Sequence, residues 1–556
     1  MQHTFSIQSP QAIPSQVSVH YQKPRQWDAR RPYKTVAKKH RPVPATFPEE
    51  ARVTRQFPED PLLSLKPLSV HPPDFIPTPK LTQARLDILK INHDGFLWPE
   101  EEKLFIMVFK NNEDVLAYSE SERGTLRPDY FSDYIIPVVE HEPWAHTQNP
   151  IPPGLMPKAV DFIRSKLAKG VYEPSQGSYR SQWFFELKKD GGLRPLIDLQ
   201  TLNSVTIRDA GLPPIIDSFI EPFAGYSVYS GFDLLSGYDA RRLHPMSRDL
   251  TSFQTPLGLL RYTCLPQGFT NSVAEFQNCT TFILQDEIPH TVGVMIDDIG
   301  IKGPKTRYED EEGIYETIPD NPGIRRFIWE HANDINRILH RLAHAGATIT
   351  QKKSQVARSD ITLVGQKLTY DGRLPDTSRI SKILKWPIPR NKTEVRGFLG
   401  LCGTVRIWIK NYSLKARPLT ELTRNQVTFE WTSQRQIAFD ILKKAISSPP
   451  VLRPIDYSSD KPVVLSVDSC PIATGIILSQ IDEQGRKRPA QYGSLPMNEQ
   501  EACYSQPELE LFGLYHALCH FQLYIIGVQN LIVEVDAKYI KEMLNQPDLQ
   551  PNAVVN

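Results

Sequence analysis

The chain has 556 residues, and 64 Lys+Arg against 63 Asp+Glu give a formal net charge of +1, with 40% hydrophobic residues. This composition is typical of a folded chain of about three to four domains, and it speaks against a histone-like polycation while leaving room for a local basic groove. The six cysteines form no CxxC pair and no run of about 18 apolar residues occurs, so we expect no zinc ribbon, no disulfide framework and no membrane span.

The N-terminal part of the sequence is rich in proline. Residues 1–80 are aperiodic, and we predict a disordered basic linker or arm there, followed by a small helical and extended spacer over 81–149. Within the arm lies a basic cluster that fits a solvated tail, a nucleic-acid contact or a nuclear-import signal. The cluster comprises Arg30, Arg31, Lys34, Lys38, Lys39 and Arg41.

Secondary-structure signals become clear after Pro157. PKAVDFIRSKLAKG has the apolar spacing of a helix that ends at Gly170. SQWFFELKK and LRPLIDL flank a Gly-Gly turn, which predicts a β-hairpin. VYSGFDLL and GVMIDDIGI are further strand-like pieces, so we predict an α/β (α+β) domain that carries acids on its strands.

The acids in these strands are Asp233, Asp297 and Asp298. The last two also fit the solvated turn of an ordinary hairpin. An ionised Asp is costly to bury unless it is paired or binds a cation. Three carboxylates converging from two strands would hold a pair of Mg²⁺ ions, which prefer oxygen ligands and can activate a hydroxyl and stabilise a departing pyrophosphate. This pattern is typical of a polymerase.

Two further regions continue the α/β pattern. FIWEHANDINRILHRLAHAGA predicts an amphipathic helix over 327–347, and a capping box at Asn391 predicts the start of another. From Pro462 a second α/β unit has PVVLSVDSC as a strand, SQPELELFGLYHALCHF as a helix and LIVEVDAKYI as another strand.

The order of these motifs resembles a known family. SQWFFELKKDGGLRPLIDLQTLN, FDLLSGYD, TSFQTPLGLLRYTCLPQGFTNSVAEFQ and VMIDDIGIKG resemble the reverse transcriptase of gypsy-type LTR retrotransposons, in a fungal-looking variant. LVGQKLTYDGRLPD and KWPIPRNKTEVRGFLGL look like the thumb and connection of these Pol polyproteins, and the second α/β unit looks like their RNase H domain. The resemblance covers roughly residues 140–556.

The resemblance implies a right-hand polymerase. Fingers and a ferredoxin-like palm are expected over 150–355, a helical thumb and connection over 356–455, and an RNase H-like domain over 456–556. Because the family's fourth RNase H acid lies in a last helix beyond Asp536, we expect this domain to be truncated, which leaves its nuclease activity open.

The resemblance also assigns roles in the polymerase. Asp233, Asp297 and Asp298 become the catalytic metal ligands. Lys188 and Arg194 become the residues that clamp the incoming triphosphate, where a Lys point charge and an Arg fork suit phosphate oxygens.

Other matching positions would contact the rest of the nucleotide. Tyr238 would lie beneath the sugar and exclude a 2′-hydroxyl, Gln267 would contact the sugar and base, and Gly268 would let the backbone approach. Met295 stands where the family usually has Tyr or Phe, so we expect retained activity with altered fidelity or primer contact. The acidic stretch 305–323 is predicted to be a surface insertion.

In the RNase H-like unit the resemblance assigns Asp468, Glu510 and Asp536 as catalytic ligands of two Mg²⁺ ions. Glu508 lies two residues before Glu510 and is the alternative candidate for this metal ligand. Since Glu508 follows Ser505 by three residues, it is predicted to be the capping acid of the helix instead.

The implied cofactor is Mg²⁺, two ions at each active site, with Mn²⁺ as a substitute. The implied partners are an RNA template, a DNA primer, RNA/DNA hybrid, dNTPs and other Pol or Gag products of the same element, with no membrane. The expected location is the cytoplasm, in element particles, or the nucleus. Basic side chains in and before the thumb are candidates for backbone contacts. They are Lys352, Lys353, Arg390, Lys392, Arg396, Arg406 and Lys410.

Two other functions fit parts of the pattern. An RNA-templated RNA polymerase shares the palm chemistry, but Tyr238 and the RNase H-like unit oppose it. A degenerate or co-opted remnant that binds nucleic acid without catalysis is opposed by the intact palm acids and favoured by the incomplete RNase H-like unit.

Overall fold

The N-terminal elements come first in the chain. The computed structural model describes residue 43 and residues 45–148, 150–187 and 193–536. We call residues 45–148 the N-terminal module. It contains short 3-10 turns around the elements α1 (Gln83–Leu89), α2 (Pro99–Asn111) and β1 (Leu116–Ala117).

Fingers and palm follow. Their helices are α3 (Met156–Ala168), α4 (Gln200–Val205), α5 (Ile216–Ile220), α6 (Gly237–Ala240), α7 (Pro245–Arg248), α8 (Ser272–Ile283) and α9 (Arg326–His344). Their strands are β2 (Tyr172–Pro174), β3 (Trp183–Leu187), β4 (Leu193–Ile197), β5 (Tyr229–Asp233), β6 (Phe253–Thr255), β7 (Gly258–Tyr262), β8 (Val292–Met295), β9 (Asp298–Lys302), β10 (Thr317–Ile318), β11 (Asn321–Arg325), β12 (Ile349–Thr350) and β13 (Gln355–Arg358).

The palm is a four-stranded antiparallel sheet in the order β13-β5-β9-β8. Along the chain its elements run β5-α8-β8-β9-α9-β13, which is the βαββαβ arrangement of a ferredoxin-like fold. The ferredoxin-like palm predicted from the resemblance is confirmed. β8 and β9 form a hairpin whose turn carries Ile296 and Asp297.

The fingers contain the predicted hairpin. β3 and β4 pair antiparallel, with Trp183 opposite Ile197, so the hairpin prediction is confirmed. A second sheet, in the order β2-β7-β6, packs beside it around buried aromatic rings such as Tyr172 and Phe253. Lys188 lies outside the described residues, as does the side chain of Arg194.

The N-terminal module shares one apolar core with the palm. Phe105 and Val108 of α2 are fully buried in the same cluster as Ile335 and Leu339 of α9. β1 pairs in parallel with β12. This arrangement differs from the predicted spacer over 81–149, because these residues complete the palm core instead of separating two domains.

Residues 45–80 also lie on the palm, which differs from the predicted disordered arm. This stretch has little regular structure, so side chains of α9 satisfy its backbone: Asn336 Nδ2 donates to Lys66 O at 2.8 Å. His340 Nε2 lies 2.9 Å from Pro61 O. The basic cluster of residues 30–41 lies outside the described residues.

The thumb and connection begin with a three-stranded sheet. Its strands are β14 (Asp360–Leu363), β15 (Gln366–Thr369) and β16 (Gly372–Pro375), and the helices that follow are α10 (Thr377–Leu384), α11 (Lys392–Gly403), α12 (Tyr412–Leu422) and α13 (Ser433–Ser447). The predicted cap at Asn391 is confirmed, because its side chain accepts from Glu394 N at 2.9 Å.

The RNase H-like unit is a mixed sheet covered by a helix. Its elements are β17 (Val463–Ser469), β18 (Ala473–Ile481), β19 (Lys487–Pro496), α14 (Gln506–His520), α15 (Gln522–Ile525) and β20 (Leu531–Val535). The sheet order is β19-β18-β17-β20, and β20 runs parallel to β17. Across the part of the chain that the structure describes, no helix is long and apolar enough to cross a membrane.

Candidate active site

The turn between β8 and β9 has a strained backbone. Ile296 has φ of 61°, a left-handed conformation that is costly for a β-branched residue. Gln277 of α8 fastens this turn, because Ile296 N donates to Gln277 Oε1 at 2.8 Å and Gln277 Nε2 donates to Val294 O at 3.1 Å. Thr280 Oγ1 adds a bond to Ile296 O at 3.2 Å. The following acids are therefore held on a braced turn.

The backbone positions of the three predicted palm acids come together at this turn. Asp233, at the end of β5, is opposite Asp298, the first residue of β9. Leu234 N donates to Asp297 O at 3.0 Å, which ties the two strand ends together. Burial and then the Asp297 and Asp233 charges raise the pKa of Asp298. Partial desolvation and the Asp233 charge likewise raise the pKa of Asp297, although Asp297 is exposed at the tip of the turn.

Lys353 supplies positive charge to this acidic cluster. Its Nζ lies 2.6 Å from Asp233 Oδ2, and this contact raises the pKa of the lysine. The side chain of Lys353 is 67% exposed, so it is free to leave the carboxylate at small cost. The sequence predicts that Lys353 contacts the template backbone, whereas in the structure its ammonium group lies beside the palm acid Asp233.

The chemistry of the cluster fits a divalent cation. Mutual repulsion of half-buried carboxylates is relieved by a cation, and hard oxygen donors are the ligands that Mg²⁺ prefers. Within the described residues, no three His, Cys, Asp or Glu side chains are yet arranged so that they could hold a metal ion. In the structure, the ammonium group of Lys353 balances part of this negative charge through its contact with Asp233.

The predicted nucleotide contacts lie around the acids. Tyr238, on α6, is half-buried, and its ring packs edge-on against Phe276 with centroids 5.5 Å apart. Gly237 allows this approach, because a Cβ there would lie 2.3 Å from a ring atom of Phe276. Gln267 is exposed, and Gly268 has φ of 91°, a conformation that glycine adopts freely. Lys188 and the Arg194 side chain lie outside the described residues.

Met295 is buried away from solvent. Its side chain is 8% exposed and packs in a cluster with Phe223, Ile361 and Leu363. Ile361 and Leu363 belong to β14, so Met295 joins the acid-bearing hairpin to the sheet that begins the thumb. A role in fidelity or primer contact stays a prediction.

The acidic stretch 305–323 is anchored on one side to the N-terminal module. Tyr315 stacks edge-on against Trp98, with centroids 6.4 Å apart, and Asn321 Nδ2 donates to Val70 O at 2.8 Å. Its acidic turn, residues 309–313, is exposed. The insertion is therefore partly a packing element and not wholly a free surface loop.

A second group of acids lies in the RNase H-like unit. Asp468 on β17 and Asp536 just after β20 are brought side by side, because Val467 pairs with Val535. Glu510 of α14 is 4% exposed, and burial, followed by the Asp468 and Asp536 charges, raises its pKa. Gln506 Nε2 donates to Glu510 Oε1 at 2.7 Å, while the buried Oε2 has no hydrogen-bond partner among the described residues. An unpartnered buried carboxylate oxygen fits a metal ligand.

Glu508 caps its helix as predicted. Its Oε2 accepts from Ser505 N at 2.9 Å, which completes a capping box. Glu508 is half-buried, and its carboxylate is engaged by Ser505 at the start of the helix. The capping role predicted for Glu508 is therefore confirmed, and the ligand role of Glu510 stays a prediction.

Sequence reasoning missed Gln277 as a site residue. The residue ends the motif TNSVAEFQ, and the signal was a polar side chain on the buried face of a helix: Gln277 is 6% exposed. A buried amide must be hydrogen-bonded, and in this fold its partners are the turn that carries the acids and Thr281 of its own helix.

Two protein families match this chain. "Reverse transcriptase (RNA-dependent DNA polymerase)" matches residues 187–372, and "RNase H-like domain found in reverse transcriptase" matches residues 431–533. The first match includes all three palm acids, and the second includes Asp468 and Glu510. Polymerases with this chemistry depend on divalent metal ions in general.

Curated relatives and solved structures agree with these matches. The Tf2-3 and Tf2-7 transposon polyproteins of Schizosaccharomyces pombe are each 27% identical over 376 residues, or 68% of this chain. The match covers 26% of those polyproteins, so this chain corresponds to about a quarter of their length. A foamy viral protease-reverse transcriptase in complex with dsDNA has a TM-score of 0.69 at 22% identity, covering 86% of this chain and 94% of that one.

The same viral enzyme in complex with RNA/DNA hybrid has a TM-score of 0.66 at 20% identity, covering 87% of this chain and 61% of that one. At this identity the likeness is one of fold, and it confirms the right-hand polymerase architecture. The family matches and the curated relatives confirm the resemblance stated from the motifs: the chain carries a reverse transcriptase domain followed by an RNase H-like domain and is similar to the polyproteins of LTR retrotransposons.

Proposed function

We propose that this chain is an RNA-directed DNA polymerase of a retrotransposon, with an RNase H-like unit that acts on the RNA strand of RNA/DNA hybrids. The observation that carries the proposal is the meeting of Asp233, Asp297 and Asp298 at the braced β8–β9 turn. Its partners would be an RNA template, a DNA primer, dNTPs and other products of the same element.

The palm acids would hold two Mg²⁺ ions, for which Mn²⁺ is a substitute. These ions would lower the pKa of the primer 3′-hydroxyl and neutralise the departing pyrophosphate. The protein's part is to fix the carboxylates: β5 and β9 present Asp233 and Asp298 in register, and Gln277 holds the turn between β8 and Asp297.

The remaining nucleotide contacts follow from side-chain chemistry. Lys188 and Arg194 would bind the triphosphate oxygens as a point charge and a fork. Tyr238 would exclude a ribose 2′-hydroxyl by bulk, while Gln267 contacts the sugar and base and Gly268 leaves room for the backbone. The half-buried position of Tyr238 on Phe276 supports this role, since a packed ring is a rigid barrier.

For the RNase H-like unit, Asp468, Glu510 and Asp536 would be the metal ligands beside an RNA phosphate. The buried, unpartnered Oε2 of Glu510 among the described residues supports this assignment. Cleavage of a labelled RNA strand in a hybrid, compared between the parent and Glu510→Gln, tests it. Equal cleavage by both proteins would refute the ligand role.

The decisive polymerase assay is Mg²⁺-dependent dNTP incorporation on poly(rA)·oligo(dT). Asp297→Asn should abolish incorporation, because it removes a metal-binding charge and preserves size. Asp320→Asn is the matched control, since it removes the same charge from an exposed turn of the acidic insertion. Equal incorporation by the parent and Asp297→Asn would refute the metal assignment. A parent that binds primed template without extending it would identify a non-catalytic remnant.

A further inference from the structure

The loop that carries Tyr238 is attached to the N-terminal module. We call residues 234–243 the Tyr238 loop. Leu126 N donates to Ala240 O at 2.9 Å, and Tyr134 N donates to Arg242 O at 3.0 Å. These backbone bonds come from a part of the chain that precedes both family matches, the first of which begins at residue 187 and the second at residue 431.

Side chains of the module and of α3 hold the residues next to Tyr238. Ser236 adopts φ of 49°, and its Oγ donates to Glu120 Oε1 at 2.5 Å. Asp239 Oδ2 lies 3.4 Å from Arg123 Nη1 and 2.6 Å from Lys166 Nζ. A left-handed serine is an unfavourable conformation, so an external hydrogen bond is what keeps it populated.

These contacts form a charge-balanced group of low exposure. Arg123 is 8% exposed and Asp239 is 10% exposed, so their ion pair is weakly screened by solvent. Lys166 Nζ also lies 3.8 Å from Glu120 Oε2, which connects the two acids through one cation. The group therefore fixes the backbone two residues before Tyr238 and one residue after it.

On the side of α8 the Tyr238 loop has no freedom to move. A Cβ at Gly237 would lie 2.3 Å from a Phe276 ring atom, and the Tyr238 ring contacts the same phenyl group. Any displacement of Tyr238 must therefore draw the loop away from Phe276. The contacts of Glu120 and Arg123 are among those that oppose such a displacement.

We propose that Glu120 and Arg123 are positioning residues for Tyr238, and that they tune the discrimination between deoxyribonucleotides and ribonucleotides. The proposal rests on the proposed function, in which Tyr238 lies beneath the sugar. Exclusion by bulk depends on placement to within a fraction of an ångström, so a loosened loop admits a 2′-hydroxyl that a fixed loop rejects.

The first test measures kcat/KM for a dNTP and for the matching rNTP. Glu120→Ala should lower the dNTP/rNTP ratio by about tenfold, the factor expected when a hydrogen bond to a charged group is lost. Glu120→Gln keeps an acceptor for Ser236 and should stay near the parent ratio. Glu113→Ala is the control, because Glu113 accepts a bond from Thr78 within the module. The ratio is the informative readout, because a merely destabilised protein loses rate without losing selectivity. A parental ratio in Glu120→Ala would overturn the proposal.

The second test needs no catalysis. Hydrogen–deuterium exchange of peptides covering residues 234–243 should be faster in Glu120→Ala than in the parent and in Glu113→Ala. Unchanged exchange would overturn the positioning role, whatever the selectivity. A parent that incorporates neither nucleotide would refute the proposed function and the selectivity role, while the exchange result would still decide whether Glu120 positions the loop.

Discussion

Replacing Gln277 with Met should impair the polymerase without touching an acid. Met has nearly the same length but makes neither of the two hydrogen bonds to the turn, with Ile296 N and Val294 O, nor the bond to Thr281 Oγ1 within α8. Each neutral bond contributes about 1 kcal/mol, and leaving the Ile296 amide unpaired adds to the loss, for a total of about 2–3 kcal/mol. The left-handed Ile296 itself costs about 1–3 kcal/mol.

These two contributions are of similar size, so without Gln277 the turn no longer prefers the conformation that carries Asp297. We expect kcat/KM for dNTP incorporation to fall by about 10-fold to 100-fold. Single-turnover extension of a primed template measures the loss, and circular dichroism checks that the fold is intact.

Ile296→Gly supplies the internal check, because glycine adopts a positive φ without strain. In that background Gln277→Met should cost clearly less than it does alone, which a double-mutant cycle detects. An equal loss in both backgrounds, or a parental rate for Gln277→Met, would refute the idea that Gln277 offsets the strain of the turn.

Three further predictions concern charges. Asp298→Asn should abolish incorporation yet raise the thermal unfolding temperature at neutral pH. The folded-state pKa of Asp298 is raised, so its ionisation destabilises the fold as pH rises above about 4. The gain in unfolding temperature should therefore disappear in melts taken towards pH 4. Arg325→Met should lower the urea midpoint by an amount equivalent to about 3–5 kcal/mol, because it leaves Glu101, at 0% exposure, without its guanidinium partner 2.7 Å away. The added change Glu101→Gln should restore the midpoint. An unchanged midpoint in Arg325→Met would contradict the importance of the buried pair. Lys353→Met should lower the Mg²⁺ concentration for half-maximal incorporation, because Lys353 competes for Asp233; a Mg²⁺ titration that shows no change or a higher requirement would argue against that competition.

The three palm acids could be predicted to lie together from the sequence because their pattern is local. A carboxylate at the end of an apolar strand is unusual on its own, and the motif order gave Asp233 and Asp297 their family roles. The Ser505–Glu508 cap was equally readable, since both partners lie within one helical turn. Such features need only a few neighbouring residues to be recognised.

The contacts that hold the site in place could not be read in this way. Glu101 and Arg325 are 224 residues apart, and Asn336 reaches Lys66 across 270 residues. Residues 45–80 have no periodicity because they cross the palm as largely exposed, irregular chain. Some of their carbonyls, such as Lys66 O, accept hydrogen bonds from side chains of a distant helix. Proline content predicted their conformation correctly as irregular, but irregular chain is not the same as disordered chain.

Because α2 and α9 share one core, the stretch that a family match recognises is shorter than the stretch that packs together. The reverse transcriptase family match begins at residue 187, whereas the apolar core of the palm includes residues of the N-terminal module. A fragment trimmed to the recognised stretch would present Ile335 and Leu339 to water and leave β12 without its β1 partner. Bare apolar surface beside an open strand edge favours aggregation, so expression of such a fragment should yield insoluble protein. Fragments for biochemistry should therefore start before residue 45.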